Sequence, residues 1–346
     1  MADDTHRDIR VVSADLVRKV AEALRDGRAS DALTSVNQLH AADIADLTEA
    51  LPSELRDALV HALGRELDPE MLTELDDQVL DEVLEQIEPE MLATHLAELD
   101  TDDAAEVLEE LDAVEQKRVL EALPPADREL VVEALSYPES SAGRMMQRNY
   151  VAVPEYWTVG QIIDWLRDSE DLPDDFYELF VVDPSHKPVG AVPLSRAMRN
   201  KRPTPVADIV SAGQKLFPVE MDQEEVAFQF EQYDLTSAAV VDSNGRLIGQ
   251  ITIDDVVDVI EEEHEEDLHR LGGVNADGDL FHSAGETARR RSGWLLVNLF
   301  TALLASITIA LFADTIEQII ALAILMPIVA SMGGNAGTQT LTVAVR

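Results

Sequence analysis

The 346-residue chain contains no cysteine, which excludes disulfides, thiolate metal sites and a cysteine nucleophile. Lysine is nearly as scarce. Of 26 basic residues only Lys19, Lys117, Lys187, Lys201 and Lys215 are lysines, against 68 acidic residues and a formal charge of −42. A field that negative repels nucleic acid and anionic headgroups and attracts cations, divalent ones above all. The opening "MADDTHRDIR" has no apolar run behind a basic stretch, so no signal peptide is expected and the N-terminal half is expected in the cytosol. The eight histidines are scattered and no Ser/His/acid or His-rich constellation occurs, so no enzyme is expected.

The charge is unevenly spread. Residues 1–136 carry a net −25, residues 137–283 a net −18, and residues 284–346 a net +1. Acid-rich, lysine-poor surfaces suit solubility at high salt in a halophilic protein, and the same acids suit cation sensing; the composition accommodates both.

Residues 1–136 hold an internal repeat. Every twelfth residue from Leu39 is apolar: Leu39, Leu51, Leu63, Leu75, Ile87, Leu99, Leu111, Leu123 and Leu135. The fourth and eighth positions recur as well, as in Leu99/Asp103/Val107. Twelve residues make roughly two and a half helical turns plus a connector. Breakers fall at "LPSE", "LDPE", "IEPE" and "LPPAD", with prolines suited to a helix's first turn. The period predicts an all-α superhelical solenoid of short helices, each relying on its neighbours to bury its stripe.

From Tyr137 the pattern becomes strand, helix, strand, strand, helix, and it occurs twice. "YVAVPEYWTVGQIIDWLRD" and "YELFVVDPSHKPVGAVPLSRAM" form the first copy; "LFPVEMDQEEVAFQFEQYD" and "SAAVVDSNGRLIGQITIDDVVDVI" form the second. The turn signals "DPSHKPVG" and "DSNGRLIG" correspond. Two such βαββα units resemble a tandem pair of cystathionine-β-synthase (CBS) domains, over about 144–260. An acid-dense helix then continues out of the second copy. "NADGD" beyond it imitates a calcium loop, but its Gly278 is one residue early and no glutamate completes the loop.

"WLLVNLFTALLASITIALFA", 294–313, is twenty residues without a charge, enough to cross a bilayer. Arg289, Arg290 and Arg291 precede it and Trp294 stands at its edge, which predicts a cytoplasmic N-terminal end. Asp314 and Glu317 mark a short turn before a second apolar stretch, 318–345, that contains "PIVASMGGNAGTQT". Irregular backbone at membrane depth survives only where protein packs it or water reaches it. Gly333, Gly334, Asn335, Gly337 and Gln339 therefore read either as close helix packing or as a pore lining with a local departure from helix, whose neutral oxygens meet the water shell of Mg²⁺.

The order of parts, together with Pro-x₅-Gly-Gly-Asn-x-Gly-x-Gln at Pro327–Gln339, resembles the MgtE family of magnesium channels. The resemblance implies an acidic helical N domain (1–136), two CBS domains (137–200 and 201–254), an acidic connecting or plug helix (255–273) and a transmembrane α-helical domain (274–346). The last is incomplete, with spans near 294–313 and 318–345, where the family has five. It also implies a homodimer in the lipid bilayer of the cell (inner) membrane, multi-pass, with cytoplasmic N-terminal domains. Mg²⁺ would enter the cytosol through the pore and close it by binding the soluble parts. The implied regulatory Mg²⁺ ligands are Asp102 and Glu106 in the N domain and Glu224 and Asp234 in the second CBS copy. Asp255, Asp258, Glu263, Glu266 and Asp267 are those of the connecting helix. Asn335, with Gly333, Gly334 and Gln339, would line the pore. ATP is an implied second ligand: Thr252 and Asp255 stand like the ribose-contacting pair of many CBS domains, whereas the first copy has Pro193 and Arg196 there. The alternative class is a membrane-anchored CBS sensor that binds a nucleotide or cation and regulates a partner without transporting anything.

Overall fold

The computed structural model describes residues 12–169, 172–173, 176–211, 213–272 and 284–345. The expected boundary at 273–274 and the calcium-loop look-alike at Asn275–Asp279 lie outside these residues. The chain divides into two units, up to Val259 and from Ile260 onward.

The first unit opens with the solenoid: α1 (Ala14–Arg25), α2 (Ala29–Val36), α3 (Ala41–Glu49), α4 (Ser53–Leu63), α5 (Asp77–Leu84), α6 (Pro89–Leu96), α7 (Thr101–Glu109), α8 (Ala113–Ala122) and α9 (Pro125–Ala134). From α5 to α9 each helix starts twelve residues after the last, so the period read in the sequence is the physical repeat. Helices this short are marginal alone, and each is held by its neighbours, α6 packing on α8 and α7 on α9. The leucine ladder supplies the common core. Leu51, Leu63, Leu75, Ile87 and Leu123 are buried in it, and Leu39, Leu99, Leu111 and Leu135 pack against it.

Local chemistry sets the boundaries. Pro89 and Pro125 open α6 and α9, where a missing N–H costs nothing. The Asp76 and Asp112 carboxylates accept from the first-turn N–H groups of α5 and α8. The repeat lapses once. Residues 64–72 form two 3₁₀ turns, Gly64–Glu66 and Pro69–Leu72, because Gly64 turns left-handed at φ 51° and Pro69 stops any continuation.

The CBS pair follows as two three-stranded sheets of one design. In the first, β1 (Ala152–Pro154) pairs parallel with β2 (Glu178–Val182), which pairs antiparallel with β3 (Pro188–Pro193). In the second, β4 (Leu216–Pro218), β5 (Ser237–Val241) and β6 (Leu247–Thr252) repeat that arrangement. Helices α10 (Val159–Asp168) and α12 (Gln223–Tyr233) make the crossovers, while α11 (Leu194–Arg199) and α13 (Ile253–Gly272) close the copies. The twin turns match atom for atom. Asp183 Oδ1 accepts from the N–H groups of Ser185 and Lys187, and Asp242 Oδ1 from those of Asn244 and Arg246. His186 and Gly245 take the left-handed position in each. The copies diverge at their last helix, six residues in α11 against twenty in α13. The connecting helix therefore begins inside the second copy, without a break near 255.

Linker residues 137–151 tie the solenoid to the CBS pair. Arg144 pairs with Glu109 of α7 at 2.6 Å and Arg148 with Glu133 of α9 at 2.8 Å, and Arg148 also donates to the Ile248 carbonyl of β6.

In the second unit, α14 (Ala284–Leu311), α15 (Ala313–Gln318) and α16 (Ile320–Val345) follow one another. Asp314 and Glu317 fall in the short α15, as expected for the turn. The departure from helix anticipated at "MGGNAG" is not there: α16 runs through Gly333, Gly334, Asn335, Gly337 and Gln339 without a break. A glycine weakens a helix by only about 1 kcal/mol. Thr338 and Thr340 bond back to the carbonyls of Gly334 and Ala336, inside the helix. Among the described residues no helix is long and apolar enough to cross a membrane. The side chains described in an unbroken run are 295–311 in α14 and 324–340 in α16, 17 residues each. Those of Arg289, Arg290, Arg291 and Trp294 lie outside them.

Candidate functional site

The linker reaches the second CBS copy through one isolated antiparallel bridge to β6. Gln147 and Gln250 of β6 exchange both backbone hydrogen bonds, at 2.8 and 3.0 Å, and Gln250 Nε2 donates to the Asn149 carbonyl at 2.7 Å. Gly249 admits this approach. A Cβ there would stand 2.8 Å from the Gln147 carbonyl oxygen and 2.8 Å from Met146 Sδ. Gly249→Ala is expected to lift the linker and to destabilise the first unit by about 1–3 kcal/mol; an unchanged melting temperature would show that the linker is not seated there.

This bridge carries Gln147 onto the pair read as a ribose site. Thr252 donates to Asp255 Oδ2 from its hydroxyl at 2.7 Å and from its backbone N–H at 3.1 Å. Gln147 Nε2 lies 3.2 Å from Asp255 Oδ1, 3.3 Å from Oδ2 and 3.2 Å from Thr252 Oγ1. Thr252 and Asp255 are thus engaged by the chain itself. In the first copy, Pro193 and Arg196 line a cavity of about 450 Å³ with Ser195, Arg199 and Asn200. Arg196 donates to the Ile209 carbonyl and the Ser211 hydroxyl. Sequence reading noted the substitution at 193 and 196 but not the second arginine, one helical turn on.

Around Asp255 the acids of two domains meet. Asp100 caps α7, Asp102 and Asp103 form its first turn, and Asp254 and Asp255 open α13. Asp102 is 9% exposed, and its Oδ1 is buried without a hydrogen-bond partner. Burial, then the charge of Asp255, pushes its carboxyl well above the usual range. Burial and Asp255 likewise raise Asp103 to about 8. Asp255 itself rises to about 7, burial outweighing the donors Thr252 and Gln147. Asp100 is raised by burial, offset by Asn149, whose Nδ2 donates to its Oδ1 at 2.6 Å.

The expected ligands are thus not equivalent. Asp102 and Asp255 come together, whereas Glu106, four residues along α7, is exposed. Asp100 and Asp103 are additions: Asp103 enters the sequence reading only as a repeat position, and Asp100 not at all. Glu224 and Asp234 are exposed at opposite ends of α12, about 15 Å apart along its axis. Asp258 is exposed on α13, and Glu263 lies on the same helix in the second unit; the side chains of Glu266 and Asp267 fall outside the described ones. Gly333, Gly334, Asn335 and Gln339 are exposed on α16. Among the described residues no group of three or more His, Asp or Glu side chains stands close enough to hold a metal ion directly. What the acids offer is a cluster of buried and half-buried carboxyl groups at a domain junction, each held above the usual carboxylate range.

Two family models match the chain: the MgtE intracellular N domain over residues 39–140 and the CBS domain over 206–262. Magnesium transporter MgtE of Bacillus subtilis is 34% identical over 212 residues, 61% of this chain and 47% of that protein. Its counterpart in Thermus thermophilus is 35% identical over the same shares. The chain spans about half the length of these relatives. A crystal structure of the cytosolic domain of the Mg²⁺ channel MgtE in complex with ATP matches with a TM-score of 0.65 and 32% identity, over 70% of this chain and 99% of that one. With its twelve-residue solenoid, twin CBS sheets and an acid junction between them, the chain belongs to the MgtE family.

Proposed function

We propose that this chain is the Mg²⁺-responsive part, with the first membrane helices, of a homodimeric magnesium channel in the cell membrane. One observation carries the reading: the carboxyl of Asp102 on the solenoid is buried with an oxygen left unpaired, within reach of the charge of the half-buried Asp255 on the connecting helix, a different domain. Burying such charges is costly without a counter-charge. Mg²⁺ gives up its waters reluctantly, so a hydrated ion can bridge carboxylates that do not form a direct three-ligand cage. Asp102, Asp103 and Asp255 would hold it, accepting hydrogen bonds from its water shell. Domain closure is then linked to Mg²⁺ concentration, and α13, which starts at Asp255's own turn, carries closure toward the pore.

The membrane reading draws on the uncharged 294–313 segment behind three arginines and on apolar side chains such as Leu296, Phe300, Val329 and Met332 left exposed on α14 and α16. Lipid and the remaining helices of a complete channel would cover them, the N-terminal domains staying cytoplasmic. Asn335, on α16, would face the hydrated ion in the pore. ATP, bound by the MgtE cytosolic domain of known structure, would take the cavity beside Arg196 and Arg199 in preference to the engaged Thr252–Asp255 pair.

The absence of cysteine permits a direct test. Ala122→Cys on α8 and Ser243→Cys in the β5–β6 turn, both exposed, take a donor–acceptor dye pair. On the purified full chain, MgCl₂ is expected to raise energy transfer with a midpoint in the millimolar range, and KCl of equal ionic strength to leave it unchanged. A response that follows ionic strength alone would make the acids a salt adaptation.

A further inference from the structure

The linker does more than join domains. Gln147 sits at an isolated antiparallel bridge to Gln250, the chain bends at Arg148 and Tyr150 N–H bonds back to the Arg148 carbonyl, and the side-chain amides of Gln147 and Asn149 end on carboxylates of different domains. Gln147 Nε2 reaches both oxygens of Asp255 at 3.2 and 3.3 Å, and Asn149 Nδ2 reaches Asp100 Oδ1 at 2.6 Å. Both amides are fixed from behind. Gln147 is 8% exposed and locked by its two backbone bonds to Gln250, while the Asn149 carbonyl accepts from the Gln250 side chain at 2.7 Å. The two acids they hold flank Asp102, whose buried Oδ1 has no donor. A carboxylate pocket without such donors would splay under its own repulsion.

We propose that Gln147 and Asn149 are positioning residues of the cation-responsive junction. They hold Asp255 and Asp100 in the closed arrangement without neutralising them, and so set the Mg²⁺ concentration at which the domains close. Neutral amides suit this task, because they orient a carboxylate and leave its charge for the cation. The inference rests on the Mg²⁺ reading above and adds to it the linker, which the acids alone do not implicate.

The test uses the same dye pair on the full chain, titrated with MgCl₂ against KCl of matched ionic strength. Gln147→Ala and Asn149→Ala are each expected to raise the Mg²⁺ midpoint about 3- to 10-fold, on the scale of one ordinary hydrogen bond's net contribution, with full closure retained at saturation. Asn149→Lys, at an exposed position, sets an ammonium beside Asp100 and is expected to lower the midpoint. Asn149→Asp adds a repelling carboxylate and is expected to raise it beyond the alanine variant. A purely structural role would move all three Asn149 variants the same way, and that result overturns the inference, as do unchanged midpoints in both alanine variants. If the unsubstituted chain closes with Mg²⁺ while the variants match it, only this inference falls. If the unsubstituted chain shows no Mg²⁺-specific closure, the reading beneath falls with it.

Discussion

Asp102→Asn is expected to stabilise the first unit in Mg²⁺-free buffer at about pH 8 and above, where the raised carboxyls ionise, against the usual direction of core substitutions. The carboxylate it removes is buried beside Asp100, Asp103 and Asp255, and one of its oxygens has no donor. Asparagine keeps the shape and takes away the charge. Relief of an unsatisfied buried charged group is on the order of 1–3 kcal/mol, or about 2–10 °C in melting temperature for a unit of this size. The second part of the expectation is a loss: Mg²⁺ should no longer raise either the melting temperature or the energy transfer, because half of the bridged pair is gone. Asp102→Asn/Asp255→Asn should then gain less than the sum of the single variants, since the two sites share one repulsion. Glu231→Gln, at an exposed position on α12, serves as the control and should change stability by no more than about 0.5 kcal/mol. Differential scanning calorimetry with EDTA and with MgCl₂ decides the matter. A lower melting temperature for Asp102→Asn in EDTA would mean that the carboxylate is satisfied in the folded chain and that no cation is needed at the junction.

Much of this architecture was legible because it repeats. A leucine every twelve residues can only be a stacked unit, and the helix starts of α5 to α9 keep that spacing. The CBS copies were legible through their turns, where Asp183 and Asp242 each bind two N–H groups ahead of a left-handed residue. What repetition hid was the site. Asp103 occupies the fourth position of a repeat unit and so looked structural, Asp100 carried no local signal, and only the fold brings Asp255 near them. Gln147 and Asn149 lie in a segment that reads as a boundary, and no local pattern announces a single bridge to Gln250 about a hundred residues later. Glu106 differs from Asp102 in burial, though its charge still acts on Asp103. The i, i+4 rule places it above Asp102 on α7, yet such a face is wide enough for one residue to be buried and the next exposed. "MGGNAG" misled for an energetic reason: glycines permit an unwound turn without requiring one, and α16 keeps its hydrogen-bond ladder.

The same junction makes closure pH-dependent, and the sign follows from the direction of the shifts. Asp102, Asp103 and Asp255 all have carboxyl groups raised first by burial and then by neighbouring acids, Asp255 among them for Asp102 and Asp103 and Asp254 for Asp255, which reaches about 7 while Asp103 reaches about 8. In the unfolded or opened chain they return to the ordinary value of about 3.9. Between these limits the closed form binds more protons than the open one, so its stability must fall as pH rises. The stabilisation is fully present below about pH 4 and is lost progressively up to about pH 8. Because the groups are coupled, they titrate as a set, and the loss across the window is on the order of several kcal/mol rather than the sum of separate shifts. Asp112 and Asp242 are lowered by hydrogen bonds from backbone N–H groups and act with the opposite sign, but only below the ordinary carboxylate range. In EDTA the labelled chain is therefore expected to be closed at pH 5 and open at pH 8, with no change in ionic strength. Saturating Mg²⁺ should flatten the profile, since a bound cation favours the ionised acids and takes the place of the protons. The competition also works in reverse: the Mg²⁺ midpoint should fall as pH rises from 6 to 8, because fewer protons have to be displaced. A transfer profile in EDTA that is flat from pH 5 to 8 would mean that the acids are hydrated and apart in solution, and that the buried junction is not the element that Mg²⁺ closes.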